Sequence, residues 1–300
     1  MEYRGKAEGR METAAAALRA LIARPEPPTI PLVMDPLSAL LAEDAGFEGY
    51  YLGGGTLGYT TACTEAALPL TTMCHLATAI RAATPRPMIL DGQCGWGDPM
   101  HTDYTIRLVE ASGLAGIEIE DQLQPKRVHH HIGIEHLIPL DLMVEKIRVA
   151  VETRRDPDFV IVARTNALRG PEGLDEALRR AEAFRAAGAD MLLLLPKTPE
   201  DARAVGERIE GPLFYMTGGW DLPGIGMKPS ELAALGYRLV IDAITPFYAR
   251  FSAMRRAYDA MAQWQSDPTL GGDYRAESEH VHRVIDLDRL LEIERHTVEK

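Results

Sequence analysis

Eight short apolar runs, each followed by a stretch whose apolar residues recur three and four apart, constrain this chain more than any other feature. The runs cover residues 29–34, 50–52, 88–90, 116–119, 159–163, 191–195, 213–216 and 239–241. The helical patterns cover 36–45, 72–83, 100–111, 140–154, 174–187, 199–209, 228–235 and 246–261. Parallel strands cannot be joined by a tight turn and need a crossover, so repeated strand and helix alternation specifies a parallel sheet covered by helices. Eight such units are the number a closed barrel needs. Helices end in glycine signals such as Ala187-Gly188-Ala189-Asp190 and Leu235-Gly236-Tyr237, left-handed stops that return the chain to the next strand. The expected fold is α/β, a (β/α)8 TIM barrel.

Two segments fall outside this rhythm. Residues 13–23 read as an N-terminal helix capping one end of the barrel, because acids interrupt its start and no secretory cleavage pattern follows. After Gln265 the stretch SDPTLGGDYRAESE reads as an exposed connection, which leaves a last helix over 286–299 available for exchange between subunits. The expected organisation is a barrel with its N-terminal helix over 1–265 and a C-terminal helical extension over 266–300. With 46% hydrophobic residues among 300, core material is ample. No apolar run approaches the length of about 18 residues that would span a membrane. A net charge of −12 argues against nucleic acid or an anionic membrane as partner and favours a small ligand. Cys63, Cys74 and Cys94 are odd in number and form no CxxC pair, so a reducing, cytoplasmic setting is expected.

In a parallel α/β protein ligands gather at the C-terminal ends of strands. Asp35 follows the first run and reads as a helix cap. The second run ends in Gly53-Gly54-Gly55-Thr56, either a plain turn or a place where backbone N–H groups meet a ligand oxygen. Asp91 follows the third run, and Glu120 and Asp121 follow the fourth; singly each would be a cap, but together on adjacent strands they suggest a divalent metal, magnesium first, with water completing its shell. Arg164 ends the fifth run, where its guanidinium either receives a substrate carboxylate in two-point fashion or pairs with one of the acids. The connection 122–139 is long and carries Lys126, Arg127, His129, His130, His131 and His136. Loops of this length at such a face are usually lids, and the consecutive histidines are either a metal tract or solvent-exposed, without the one-face spacing of a helical zinc site. Trp96 and Trp220 either line a less polar pocket or pack beneath the loops.

The stretches LDGQCGWGDP, IEIEDQLQPKR, MVEKIRVAV, DFVIVARTNA and GLDEALRRAEAFRAAGADM, in this order, resemble the isocitrate lyase and phosphoenolpyruvate mutase superfamily over residues 36–261. The resemblance implies a (β/α)8 barrel, magnesium (or manganese in its place), small α-keto or α-hydroxy acid substrates, and a homotetramer or homodimer that exchanges C-terminal helices. By position, Asp91 matches the family's direct metal ligand in DxDxGxG, and Glu120 the acid that holds the metal's water shell. Arg164 matches the carboxylate-binding Arg of ARTDA, and Gly53 and Gly54 match the SGG turn.

Departures are equally specific. Gln93 replaces the second Asp of DxDxGxG and contributes no charge, Asn166 replaces the Asp of ARTDA, and Leu195 stands near a Glu found on strand six of many lyases. The lyase loop KxCGH reads Lys126-Arg127-Val128-His129-His130-His131 here. Counting forward from Lys126 puts Val128 at the Cys position; counting back from Pro139 puts His129 there, with one residue inserted. The acid–base equipment of an ordinary isocitrate or methylisocitrate lyase is therefore absent. The expected activity is a magnesium-dependent carbon–carbon lyase that cleaves or decarboxylates a small 2-hydroxy or 2-oxo dicarboxylate through an enolate. Its expected site has Asp91, Gln93 and Glu120 on the metal, and Gly53, Gly54, Arg164, Asn166 and Trp96 on the substrate. Lys126, His129 or His131 would donate the proton. The alternatives are a phosphonate mutase or hydrolase, and a non-catalytic carboxylate-binding barrel.

Overall fold

A computed structural model describes residues 13–217 and 221–299. Trp220 lies outside the described residues. The first helix, α1 (Ala14–Ile22), is capped by Thr13, whose hydroxyl accepts the Ala16 N–H at 3.1 Å. Next come β1 (Thr29–Pro31), α2 (Pro36–Asp44), β2 (Tyr50–Leu52), α3 (Gly54–Thr60) and α4 (Leu70–Ala83). Asp35 caps α2 in a reciprocal capping box with Ser38. α3 was legible in sequence only as a turn, since its glycines disfavour helix on propensity alone. The barrel continues through β3 (Met88–Asp91), α5 (Pro99–Ala111), β4 (Gly116–Glu120), α6 (Leu140–Thr153), β5 (Val160–Arg164) and α7 (Gly173–Ala186). It ends with β6 (Met191–Leu193), α8 (Pro199–Arg208), β7 (Leu213–Met216), α9 (Pro229–Ala234), β8 (Tyr237–Asp242) and α10 (Thr245–Ala262).

Every strand pair is parallel, in the order β1-β8-β7-β6-β5-β4-β3-β2. The circle closes through a parallel bridge between Leu32 and Tyr51, where the Val33 N–H donates to the Tyr51 carbonyl at 2.9 Å. The expected (β/α)8 barrel is thus the observed fold.

Two apolar clusters follow from the two-residue side-chain period of a strand. One set of alternate positions, including Tyr51, Ile89, Val160, Val162, Leu193, Phe214 and Ile241, fills the barrel together with Leu18 of α1. The other, including Leu52, Leu90, Ile117, Ile119, Ile161 and Leu192, packs against the surrounding helices. α1 sits across the barrel floor: a Cβ on Gly116 would lie 3.4 Å from the Leu18 methyl.

Beyond the barrel, the chain forms two further helices, α11 (Arg275–Val284) and α12 (Leu287–Thr297). The sequence pattern predicts only the second, since the polar stretch through Glu279 reads as connection. α11 touches α2, with His280 Nε2 3.2 Å from Asp44 Oδ2. Both helices leave Val281, Leu290 and Leu291 exposed, as α10 leaves Tyr248, Phe251, Tyr258 and Met261.

Candidate active site

The strand period decides which acids face inward. On β4, Ile117 and Ile119 belong to the outer layer, so Glu118 and Glu120 point into the barrel; on β5, Val160 and Val162 point inward and Arg164 with them. Strand register then sets Asp91 beside Glu118 and Glu120 beside Arg164. Asp121, one residue further, turns outward. It accepts the Thr165 hydroxyl at 2.6 Å, the Asn166 N–H at 3.0 Å and Arg180 at 3.1 Å. Of the adjacent acids read together as metal-directed, Asp121 is therefore built into the loop's support.

Above these side chains, at the C-terminal ends of the strands, lies a cavity of 440 Å³. Tyr51, Gly53, Asp91, Lys126, His130, His131 and Arg164 are among its lining. Asp91 is buried, accepting the Gly54 N–H at 2.9 Å on one oxygen and the Gln93 N–H at 3.0 Å on the other. Each oxygen keeps a lone pair. Burial raises its carboxyl pKa, even though Lys126 and Arg164 pull the other way. A buried carboxylate short of positive charge is suited to a hard cation. Gln93 is buried with its amide nitrogen unpartnered. A Cβ at Gly54 would stand 3.1 Å from Asp91 Oδ2, so any side chain there would press on this carboxylate.

Glu120 is held on all sides. Its Oε1 lies 2.5 Å from Lys126 Nζ; its Oε2 lies 3.2 Å from Arg164 and accepts Asn166 Nδ2 at 2.9 Å. Burial would raise its pKa, but Arg164 and Lys126 outweigh it and hold the carboxyl at about 2. Glu118 pairs with Arg164 at 2.7 Å and accepts the Tyr51 hydroxyl at 3.0 Å. Burial dominates there, and its pKa rises to about 7 despite Arg164.

Arg164 therefore pairs with two acids. Its Nε and one terminal nitrogen also donate to Asn166 Oδ1, at 3.3 and 3.1 Å. Four of the five guanidinium N–H groups are engaged, which leaves one for a ligand rather than a fork. Lys126 is equally confined, with its second acid, Glu65, at 3.0 Å. Burial opposes its charge, yet Glu120 and Glu65 raise its pKa well above the ordinary lysine value. It stays charged, with one N–H to spare.

The loop histidines divide. His129 is exposed and its Nδ1 meets His136 Nε2 at 2.9 Å, outside the cavity lining. His130 and His131 face inward toward Glu65, their Nε2 atoms 2.6 and 3.7 Å from its two oxygens. Glu65, remote in sequence from the loop, carries no local signal of function. It arrives because the chain reverses sharply after α3; a Cβ on Gly58 would lie 2.4 Å from the Glu65 nitrogen. Trp96 packs beneath the loops, donating its indole N–H to the Leu68 carbonyl at 2.9 Å. Asn166 is fully buried between Glu120 and Arg164, and neither it nor Trp96 lines the cavity.

Fold and site together define a barrel enzyme with carboxylates gathered at its strand ends against two buried cations, Arg164 on a strand and Lys126 on the loop. The model of the phosphoenolpyruvate phosphomutase family matches residues 18–262, and the chain belongs to the phosphoenolpyruvate mutase/isocitrate lyase superfamily. It is 32% identical over 290 residues to the 2,3-dimethylmalate lyase of Eubacterium barkeri, covering 93% of this chain and 96% of that one. It is 37% identical over 233 residues to a probable 2-methylisocitrate lyase of Corynebacterium glutamicum, covering 76% of this chain and 74% of the relative. The crystal structure of phosphonopyruvate hydrolase in complex with oxalate and magnesium superposes with a TM-score of 0.83 at 27% identity, covering 96% of this chain and 100% of that one.

Proposed function

We propose that this protein is a divalent-metal-dependent carbon–carbon lyase that cleaves or decarboxylates a small 2-hydroxy or 2-oxo dicarboxylate through an enolate. The observation that carries this reading is the convergence of Asp91, Arg164 and Lys126 on one cavity, with Glu120 buried behind them against both cations and one spare donor on each cation. Asp91 would hold magnesium directly, and Glu120 and Gln93 would hydrogen-bond its water shell. The metal supplies positive charge and Lewis acidity beside the oxygen on which the enolate's charge develops.

The remaining work falls to the chain. Arg164 and Lys126 each give one N–H to the substrate's oxygens, orienting it over Asp91. In a retro-aldol step the 2-hydroxyl gives up its proton, the adjacent carbon–carbon bond breaks, and its electron pair remains on the departing acid, which takes up a proton at carbon. In a decarboxylation the same pair remains when carbon dioxide leaves. Lys126 is held too firmly protonated to exchange that proton, and His129 is turned outward. The imidazole wall of His130 and His131 beside Glu65 is the part of the loop that offers acid–base groups to the cavity.

No helix among the described residues is long and apolar enough to cross a membrane. The three unpaired cysteines fit a reducing, cytoplasmic setting. We further propose a homo-oligomer in which another copy covers the exposed apolar residues of α10 and α12. The test of activity is a mass-spectrometric screen with magnesium against 2-hydroxy and 2-oxo dicarboxylates and phosphonates, with Asp91→Ala as control. Cleavage that vanishes in the control supports the reading. Turnover of phosphonates alone moves the assignment to the chemistry of the phosphonopyruvate hydrolase neighbour. Carboxylate binding without turnover of any panel member points to a binding barrel.

A further inference from the structure

Glu65, His130 and His131 form a donor set of their own on the cavity wall, joined to the strand-end acids only through Lys126. Their ligand atoms all lie within 4.8 Å of one another. Both imidazoles present the same nitrogen to the carboxylate, His130 Nε2 at 2.6 Å from Oε1 and His131 Nε2 at 3.7 Å from Oε2. The other nitrogens are held from behind. His130 donates its Nδ1 proton to the Arg127 carbonyl at 2.6 Å, so Nε2 is the nitrogen that would exchange its proton for a metal, and His131 Nδ1 meets the Tyr59 hydroxyl at 2.9 Å. Histidines that ligate metals are commonly oriented in this way, through the nitrogen not on the metal.

A second observation points to a ligand. The Glu65 side chain is only 6% exposed, yet its Oε2 has no hydrogen-bond partner. The surrounding charge leans the same way: Glu65, Asp91, Glu118 and Glu120 stand against Lys126, Arg164 and Arg169 around the cavity. Lys126 repels a metal from one side, but it shares Oε1 with the loop and leaves Oε2 open.

We propose that Glu65, His130 and His131 bind a divalent cation of the zinc class as a two-histidine, one-carboxylate site, separate from the magnesium position at Asp91. Imidazole nitrogens select zinc and its transition-metal neighbours over magnesium. Ligand atoms around one tetrahedral zinc stand about 3.3 Å apart, between the two separations present, so small ring adjustments complete the set. Three protein ligands leave a fourth position facing the cavity, as in catalytic rather than structural zinc sites. With a metal bound, both Nε2 atoms would be engaged and the imidazoles could no longer donate the proton themselves; this consequence alone rests on the lyase reading.

The test is zinc titration of metal-stripped, full-length protein in excess magnesium, without substrate, with cobalt as the visible spectroscopic probe. One tightly bound zinc and a tetrahedral cobalt spectrum are expected. His131→Asn and Glu65→Gln should each weaken binding by more than about 100-fold, and Tyr59→Phe by about tenfold through loss of the outer partner. The loop variant His131→Asn keeps the test open should the buried Glu65→Gln change fail to fold. Asp91→Ala and His129→Ala should bind zinc as the wild type does. No tight zinc, or binding lost with His129→Ala and kept with His131→Asn, overturns the proposal. Loss with Asp91→Ala overturns it too, by placing the zinc at the magnesium position. Zinc binding as expected in a protein that turns over no substrate supports the site and counts against the lyase reading alone.

Discussion

Lys126 Nζ lies 2.5 Å from Glu120 Oε1 and thereby ties the long loop after β4 to the strand it leaves. The same nitrogen reaches Glu65 at 3.0 Å, and all three side chains are at most 6% exposed. Removing one member of a buried ion cluster leaves uncompensated charge, at a cost of about 3–5 kcal/mol. Lys126→Ala should therefore lower the denaturant midpoint by a corresponding amount. An unchanged midpoint would show that the loop does not hold Glu120 in solution.

Asp91 separates stability from activity. Because burial raises its carboxyl pKa, Asp91→Asn removes an unfavourable buried charge, and thermal melting should show equal or higher stability at neutral pH. Turnover should fall roughly 1,000-fold, the equivalent of about 4 kcal/mol of lost charge stabilisation. Retained turnover would place the metal elsewhere.

Glu118 sets a pH dependence of stability. Its pKa rises from the ordinary 4.5 to about 7 in the fold. Between those values the native state holds a proton that the unfolded chain has released, so stability contributed by this group is full below 4.5 and is lost as pH rises through about 7. Glu118→Gln abolishes that slope. The variant should gain on the wild type across the window by up to about 3 kcal/mol, read from denaturation curves at its two ends; parallel curves would refute it.

Asp121 is expected to matter for folding and not for chemistry. It supports Thr165, Asn166 and Arg180 from outside the cavity. Asp121→Ala should cost about 1–3 kcal/mol by leaving the buried Thr165 hydroxyl and Asn166 N–H without their acceptor, while Arg180 keeps Glu176 at 2.8 Å. Folded Asp121→Ala should keep the wild-type metal dependence, which a direct role for Asp121 on the metal would change.

The exposed face of α10 gives a prediction about assembly. Phe251 and Tyr258 are more than half exposed. Placing a charge on a covered apolar surface disfavours its burial, so Phe251→Asp should shift the sedimentation profile toward smaller species. A wild-type protein that sediments as a monomer would remove the oligomer proposal.

The sequence alone determined the barrel, because alternation of strand and helix is written in local periods of two and 3.6 residues. The same two-residue period put Glu120 inward and Asp121 outward, although neither could be told apart as a cap or a ligand before register was known. α3 escaped notice because three glycines mask a helix held by tertiary contacts, and α11 because it lies in a polar stretch next to Gly271 and Gly272. What only the tertiary structure decided is the choice of partners. Glu65 meets Lys126, His130 and His131 across some sixty residues of chain, Tyr51 meets Glu118 across 67, and His129 turns away from the cavity its neighbours enter. Such pairings exist only once the barrel closes and the loop folds over it, since each joins segments whose own patterns are independent of one another.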